Sequence, residues 1–169
     1  HLLMRQYSKF GPCIAAANVN LEVGDELFIG GSKGEPSSIW TQNKDGVYQI
    51  TQKLDSIYED TAASFVDIDN DNDLDIYVAS GGSEFAVNSP ELQDRIYINN
   101  GKGVFSLAKN NLPNTANIAS CIAANDYDKD GDIDFFIGSR LVKGSYPTTP
   151  KSSLLQNNSG VFTDIKNDA

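Results

Sequence analysis

Histidine is nearly absent from this sequence: the only one is His1, at the chain end. That leaves no internal imidazole for a Ser–His–Asp or Cys–His constellation. Cysteine is almost as scarce. Cys13 and Cys121 form no CxxC pair, which argues against a disulfide framework. Basic residues are outnumbered, 13 against 23 acidic, for a formal net charge of −10. Nucleic-acid recognition leans on a basic footprint, so that partner is not expected. Apolar stretches last only a few residues, so no transmembrane segment is expected. A chain that opens on His1, with no leader-like segment, reads as part of something larger.

What the sequence does have is aspartate, concentrated in two places. One cluster comprises Asp67, Asp69, Asp71, Asp73 and Asp75, and the other Asp126, Asp128, Asp130, Asp132 and Asp134. Carboxylates at positions 1, 3, 5 and 9 of a nine-residue loop suit a hard cation, which takes roughly 6–8 oxygens in flexible geometry. Position 7 would add its backbone carbonyl. At position 6, Gly131 in one loop and Asn72 in the other permit a left-handed turn. Two carboxylates about 5 Å apart repel by roughly 3 kcal/mol at an effective dielectric near 20. Five in nine residues therefore call for a counter-ion. Magnesium demands stricter octahedral geometry, so calcium is the expected ion. An EF-hand is excluded because position 12 is Val78 or Ile137, inside an apolar run, where a bidentate Glu belongs.

The sequence also repeats itself three times, and such periodicity decides the fold. Gly46, Gly103 and Gly160 stand 57 residues apart. They mark hairpin tips that begin at Trp40, Tyr97 and Leu154, turn through Asn, Gly, Asp or Ser, and resume at Tyr48, Phe105 and Phe162. Upstream of each tip lies an apolar run: Leu27–Ile29, Ile76–Val78 and Phe135–Ile137. Consecutive rather than alternating apolar residues predict strands buried on both faces. Before each acidic loop come small residues, Ala15–Ala17, Ala62–Ser64 and Ala123–Asn125, as suits a strand crowded near a central axis. Leu54, Ile57, Tyr58, Ala62 and Phe65 fall at helical spacing, but the repeat assigns 61–66 to a strand and leaves open a short helical turn at 54–59. Units of this length suit four-stranded propeller blades, of which about 4–8 close a ring. The expected fold is therefore all-β: a β-propeller fragment of about three blades, spanning residues 10–60, 61–118 and 119–169.

In the first copy the acidic loop is degenerate. Its matching positions are Asn18, Asn20, Glu22 and Glu26, with Val23 at the turn, so this third site is expected to be empty. Cys13 and Cys121 both fall five residues before loop position 1, where the second copy has Ala62. Equivalent sites on non-adjacent blades should be too far apart for the Cα separation of about 5.5–6 Å that a disulfide needs, so two buried free thiols are expected.

These residues resemble the FG-GAP repeats of integrin α-subunits and the related VCBS repeats of bacterial surface proteins. The resemblance rests on the two Asp loops, on Phe10-Gly11 at the Phe-Gly position and on Ile29–Ser32 at the Gly-Ala-Pro end. Leu92–Tyr97 and residues 138–152 further resemble Bacteroidetes-type VCBS-repeat proteins that carry an ASPIC/UnbV domain. The resemblance implies a larger propeller, calcium held for structure and a secreted or cell-surface location, the parent being a secreted protein or an outer-membrane lipoprotein.

For function, three readings compete. Asp45, Asp55, Glu59, Asp60, Glu84, Glu91 and Asp94 remain for acid–base work, yet no spacing singles out a pair, and the chain is read as non-enzymatic. A lectin would use aromatics, and Trp40, Tyr77, Tyr97 and Tyr146 are the candidates, with core packing the plainer reading for Trp40 and Tyr97. Tyr146 lies in a Pro-rich insertion, Lys143–Pro150, whose counterpart is Gly81–Pro90, and insertions commonly carry binding. The expected role is a scaffold or adhesion module whose partners are a protein or glycan ligand and the remaining blades. The alternative is a lectin-like propeller or a non-catalytic domain of a polysaccharide-active enzyme. Asn157-Asn-Ser159 is a formal glycosylation sequon, relevant only in a eukaryotic secretory host.

Overall fold

The computed structural model describes residues 12–115, 117–145 and 147–165. Twelve strands form three four-stranded antiparallel sheets, each drawn from one copy of the repeat. Blade one comprises β1 (Ile14–Ala17), β2 (Glu26–Ile29), β3 (Ser38–Gln42) and β4 (Tyr48–Lys53). Blade two comprises β5 (Asp60–Val66), β6 (Asp75–Ser80), β7 (Arg95–Ile98) and β8 (Ser106–Leu107). Blade three comprises β9 (Ile118–Asn125), β10 (Asp134–Leu141), β11 (Ser153–Asn158) and β12 (Val161–Asp164). Each sheet is a meander, with strands paired in chain order. Residues 54–59 form a bend, not a helical turn, because β5 claims the segment from Asp60 onward. The one helical element among the described residues is a single 3-10 turn, Pro90–Leu92.

The alanine-rich strands β1, β5 and β9 lie side by side, β5 touching both of the others. Side-chain alternation then sends the two faces of blade two to different neighbours. Ile76 and Val78 of β6 pack with Phe28 and Ile39 of blade one, while Tyr77 and Ala79 pack with Phe135, Ile137 and Leu155 of blade three. As expected from its unbroken apolar run, β6 is buried at every residue. In β2 and β10 the same pattern meets a neighbour on one side. Phe135 is fully buried, whereas Phe136, one residue on, is 47% exposed.

This geometry corrects the expectation for the cysteines. Both are free, but Cys121 is exposed and Cys13 half-buried. Cys13 and Ala62 face the following blade, whereas Cys121 occupies the same position on the open face of blade three. Across from each cysteine stands a glycine, and a Cβ on Gly30 or Gly138 would lie 2.9 or 2.4 Å from the sulfur. Where Ala62 replaces cysteine, Ala79 replaces glycine. Burial pushes the Cys13 thiol up to about 12. In native protein at pH 8, Ellman's reagent is therefore expected to titrate Cys121 rapidly and Cys13 only after denaturation. Equal rates for both would contradict this arrangement.

Candidate metal loops

The loops between β5 and β6 and between β9 and β10 carry the aspartates. Each is curled by residues in left-handed conformation at positions 4 and 6, namely Asn70 and Asn72 in one, Lys129 and Gly131 in the other. Position 6 was legible in the sequence, but position 4 was not, since Lys129 carries no turn signal. The curl turns positions 1, 3 and 5 inward. Ligand oxygens of Asp67, Asp69 and Asp71 lie within 4.8 Å of one another, and so do those of Asp126, Asp128 and Asp130.

Positions 7 and 9 stand apart from these triplets. Asp75 and Asp134 are fully buried at the first residues of β6 and β10. Asp75 accepts from the N–H groups of Ile68 (3.1 Å) and Asn99 (2.8 Å), and Asp134 from those of Tyr127 (3.0 Å) and Asn157 (2.8 Å). These carboxylates tie loop to strand and hairpin tip. Asp132 accepts from the Asn70 amide at 2.6 Å and from the Ser159 N–H at 2.7 Å, which joins the two loops. The Gln156 amide, which the sequence did not single out, donates to Asp128.

Among the described residues, no carboxylate of either loop is in a salt bridge. Burial raises Asp69 above the ordinary carboxylate range, with Asp71 and Asp67 adding to it, and Asp73 is raised by burial and by Asp71, Asp69 and Asp67. Burial pushes Asp75 up to about 7 against the pull of its two N–H donors. Two oxygens, Asp67 Oδ1 and Asp73 Oδ1, are buried with no hydrogen-bond partner. An all-oxygen donor set with orphaned carboxylate oxygens fits a hard divalent cation. Asp67, Asp69 and Asp71 would hold one, and Asp126, Asp128 and Asp130 another.

The degenerate loop is satisfied differently. Glu26 accepts from the Val19 N–H (3.0 Å) as Asp75 and Asp134 do from Ile68 and Tyr127, but Asn18 donates to the Glu22 carbonyl (2.6 Å) and Asn20 donates to Glu26 (3.0 Å). Amide hydrogens stand where the other loops present bare carboxylates. Here Leu21 and Gly24 are the left-handed residues, which moves the second turn from position 6 to position 7.

Residues 80–137, which span the third copy's Asp loop, match the family model of the FG-GAP-like repeat. The chain carries an FG-GAP-like repeat. No curated protein matches the sequence. Phe10-Gly11, the expected Phe-Gly pair, lies outside the described residues. The repeat register is firmer in structure than in sequence. Trp40 and Tyr97 occupy one ladder position, opposite Leu27 and Ile76, and in blade three that position belongs to Leu155, opposite Phe135. The third hairpin tip is thus one residue shorter than the Gly spacing implies, and Leu154 points the other way.

At the far ends of the strands the insertions meet. Phe85, Leu92, Ile118 and Leu141 form a small cluster, and Lys143 Nζ donates to the Phe85 carbonyl at 2.6 Å. Beneath them lies a buried ionic network. Arg95 pairs with Asp60, donates to the Tyr97 hydroxyl at 3.0 Å and stacks 3.8 Å from the centroid of Tyr58. Asp60 also accepts from the Gly31 N–H at 2.7 Å, and Tyr97 donates to Asp55 at 2.8 Å. Asp94, raised by burial to about 7, accepts from the Tyr77 hydroxyl and the Ser80 N–H, both at 2.8 Å. Tyr77 and Tyr97 are thus core residues, Trp40 is half-buried, and Tyr146 lies outside the described residues.

Proposed function

We propose that this chain is a calcium-stabilised β-propeller module of a secreted or cell-surface protein, a scaffold that presents its inserted loops to a protein or glycan ligand. The observation that carries the reading is the pair of convergent Asp triplets, the first with the orphaned oxygens of Asp67 and Asp73 in its loop. Calcium in each loop supplies a counter-charge to carboxylates that form no salt bridge among the described residues. Weak, millimolar-range sites suit an extracellular setting. The likeness to VCBS-repeat proteins with ASPIC/UnbV domains supports a bacterial exported parent. No described helix is long and apolar enough to cross a membrane, which says nothing of β-barrels.

The role is binding rather than catalysis. Asp60 and Asp94, candidates for acid–base work, are buried and engaged in structural bonds. Phe85 and Leu92 of one insertion, Ile118 and Leu141 of the flanking strands and Lys143 of the other insertion form one rim, opposite the metal loops, and that rim supports ligand presentation. Partner capture with silent glycan arrays would favour a protein ligand, and specific array binding the lectin alternative.

Thermal melts test the calcium. At about 100 times Kd, each site adds about 2.7 kcal/mol. The melting temperature should therefore rise by several degrees over protein in chelator. Asp71→Asn with Asp130→Asn keeps the side-chain acceptors for the Asp73 (3.0 Å) and Asp132 (2.9 Å) N–H groups while removing two charges. That double variant should melt higher than wild type in chelator and lose the calcium increment. A variant that melts lower in chelator and keeps the increment would contradict the reading.

A further inference from the structure

Asp73 and Asp132 hold position 7 of the two aspartate loops, and they differ in one bond. Each accepts a backbone N–H from its own hairpin tip, Gly101 for Asp73 and Ser159 for Asp132. Asp132 Oδ1 also accepts the side-chain amide of Asn70, position 4 of the preceding loop, at 2.6 Å. For Asp73 the preceding position 4 is Leu21, whose side chain has no donor, and Asp73 Oδ1 is buried without a partner. Both position 4 residues are left-handed, with φ of 60° at Leu21 and 62° at Asn70. The loops thus present position 4 alike, and only the side chain differs. The amide bridge joins the two loops that carry aspartate triplets and is missing where the degenerate loop meets its neighbour.

A continuous path of bonds then runs from one triplet to the other. Asn70 stands between Asp69 and Asp71, two members of the first triplet, and all three are exposed. Its amide holds Asp132, and the Asp132 N–H donates to Asp130 Oδ1, a member of the second triplet, at 2.9 Å. Packing holds exposed loop residues weakly, so fixing them costs conformational entropy. A cation that fixes Asp69 and Asp71 also fixes Asn70 between them, and with it Asp132 and Asp130. Ordering met at one site need not be met again at the other.

Resting on the calcium reading above, we propose that Asn70, through its bond to Asp132, couples the two loops so that calcium in either one raises the affinity of the other. Asn70 is a positioning residue, since it acts on the second triplet only through Asp132. The coupling is reciprocal, because linkage between two binding sites has no direction. Charge alone predicts the opposite sign. A loop of five aspartates is less negative once it holds a divalent cation, and so attracts a second cation less. The sign of the coupling therefore separates the bridge from plain electrostatics. With the bridge intact, the module fills both sites over a narrow range of calcium.

The test is calcium titration of the whole chain by calorimetry at about 0.15 M ionic strength, where screening limits the charge effect. Asp130→Asn leaves the first loop to titrate alone, and Asp71→Asn leaves the second. In wild type the product of the two stepwise binding constants should exceed the product of those single-loop constants by about fivefold. Asn70→Gly removes the amide and keeps the left-handed turn. With that change made in all three proteins, the ratio should fall to one or below. Asp132→Ala, which spares both triplets, should lower it equally. A readout without calcium accompanies these: in chelator, urea unfolding of Asn70→Gly, Asp132→Ala and the double variant should be non-additive. Two wild-type sites with a ratio of one or less overturn this inference alone. A ratio that stays near five in both variants, or strict additivity in chelator, also overturns it. Absence of binding heat in wild type overturns the calcium reading and this inference together.

Discussion

Replacing Arg95 by alanine is expected to destabilise the fold by about 3–5 kcal/mol, because it strands a buried carboxylate. Arg95 is 4% and Asp60 2% exposed, so neither charge can be rescued by water. Asp60 would keep only the Gly31 N–H and whatever else the cavity admits. Tyr97 would lose a donor, and Tyr58 the cation stacked on it. Making Asp60→Ala together with Arg95→Ala should cost less than the two single changes summed, since the second removal no longer leaves an unpaired ion. Urea unfolding of the four proteins measures this coupling. Strict additivity would mean that the pair contributes nothing as a pair.

A second large effect separates two adjacent phenylalanines. Phe135→Ala should cost about 3–5 kcal/mol, as expected for a fully buried aromatic. Its ring lies 4.5 Å from that of Tyr77 and 5.5 Å from that of Phe162, centroid to centroid, so the cavity opens in the middle of the interface between blades two and three. Phe136→Ala, on the opposite face of the same strand, should cost under about 1 kcal/mol, within the range of surface changes. Denaturant midpoints for the two variants decide it. Similar losses would mean that both faces of β10 are buried in solution.

Those two residues also show how far the sequence could be read. The run Phe135–Ile137 announces a strand with two apolar faces, and in blade two the matching run is buried on both. Nothing in the run itself reveals which face has a neighbour, because that depends on what lies beyond the strand. The same gap explains Cys121, whose repeat position is an interior one that blade three leaves open. The acidic loops were legible because carboxylate spacing and turn residues are local signals. Their internal division was not. Asp75 and Asp134 share the loop pattern, yet strand pairing buries them against backbone N–H groups. The ionic network was hidden for the same reason: Asp60 and Arg95 are 35 residues apart, on β5 and β7 of blade two, and meet only once that sheet has formed.

Calcium titration by calorimetry on chelator-stripped protein tests the central claim most directly. The account predicts two sites per chain, both abolished by Asp71→Asn with Asp130→Asn, with no third event from the amide-linked loop at Asn18–Glu26. Absence of binding heat together with an unchanged melting temperature would contradict it.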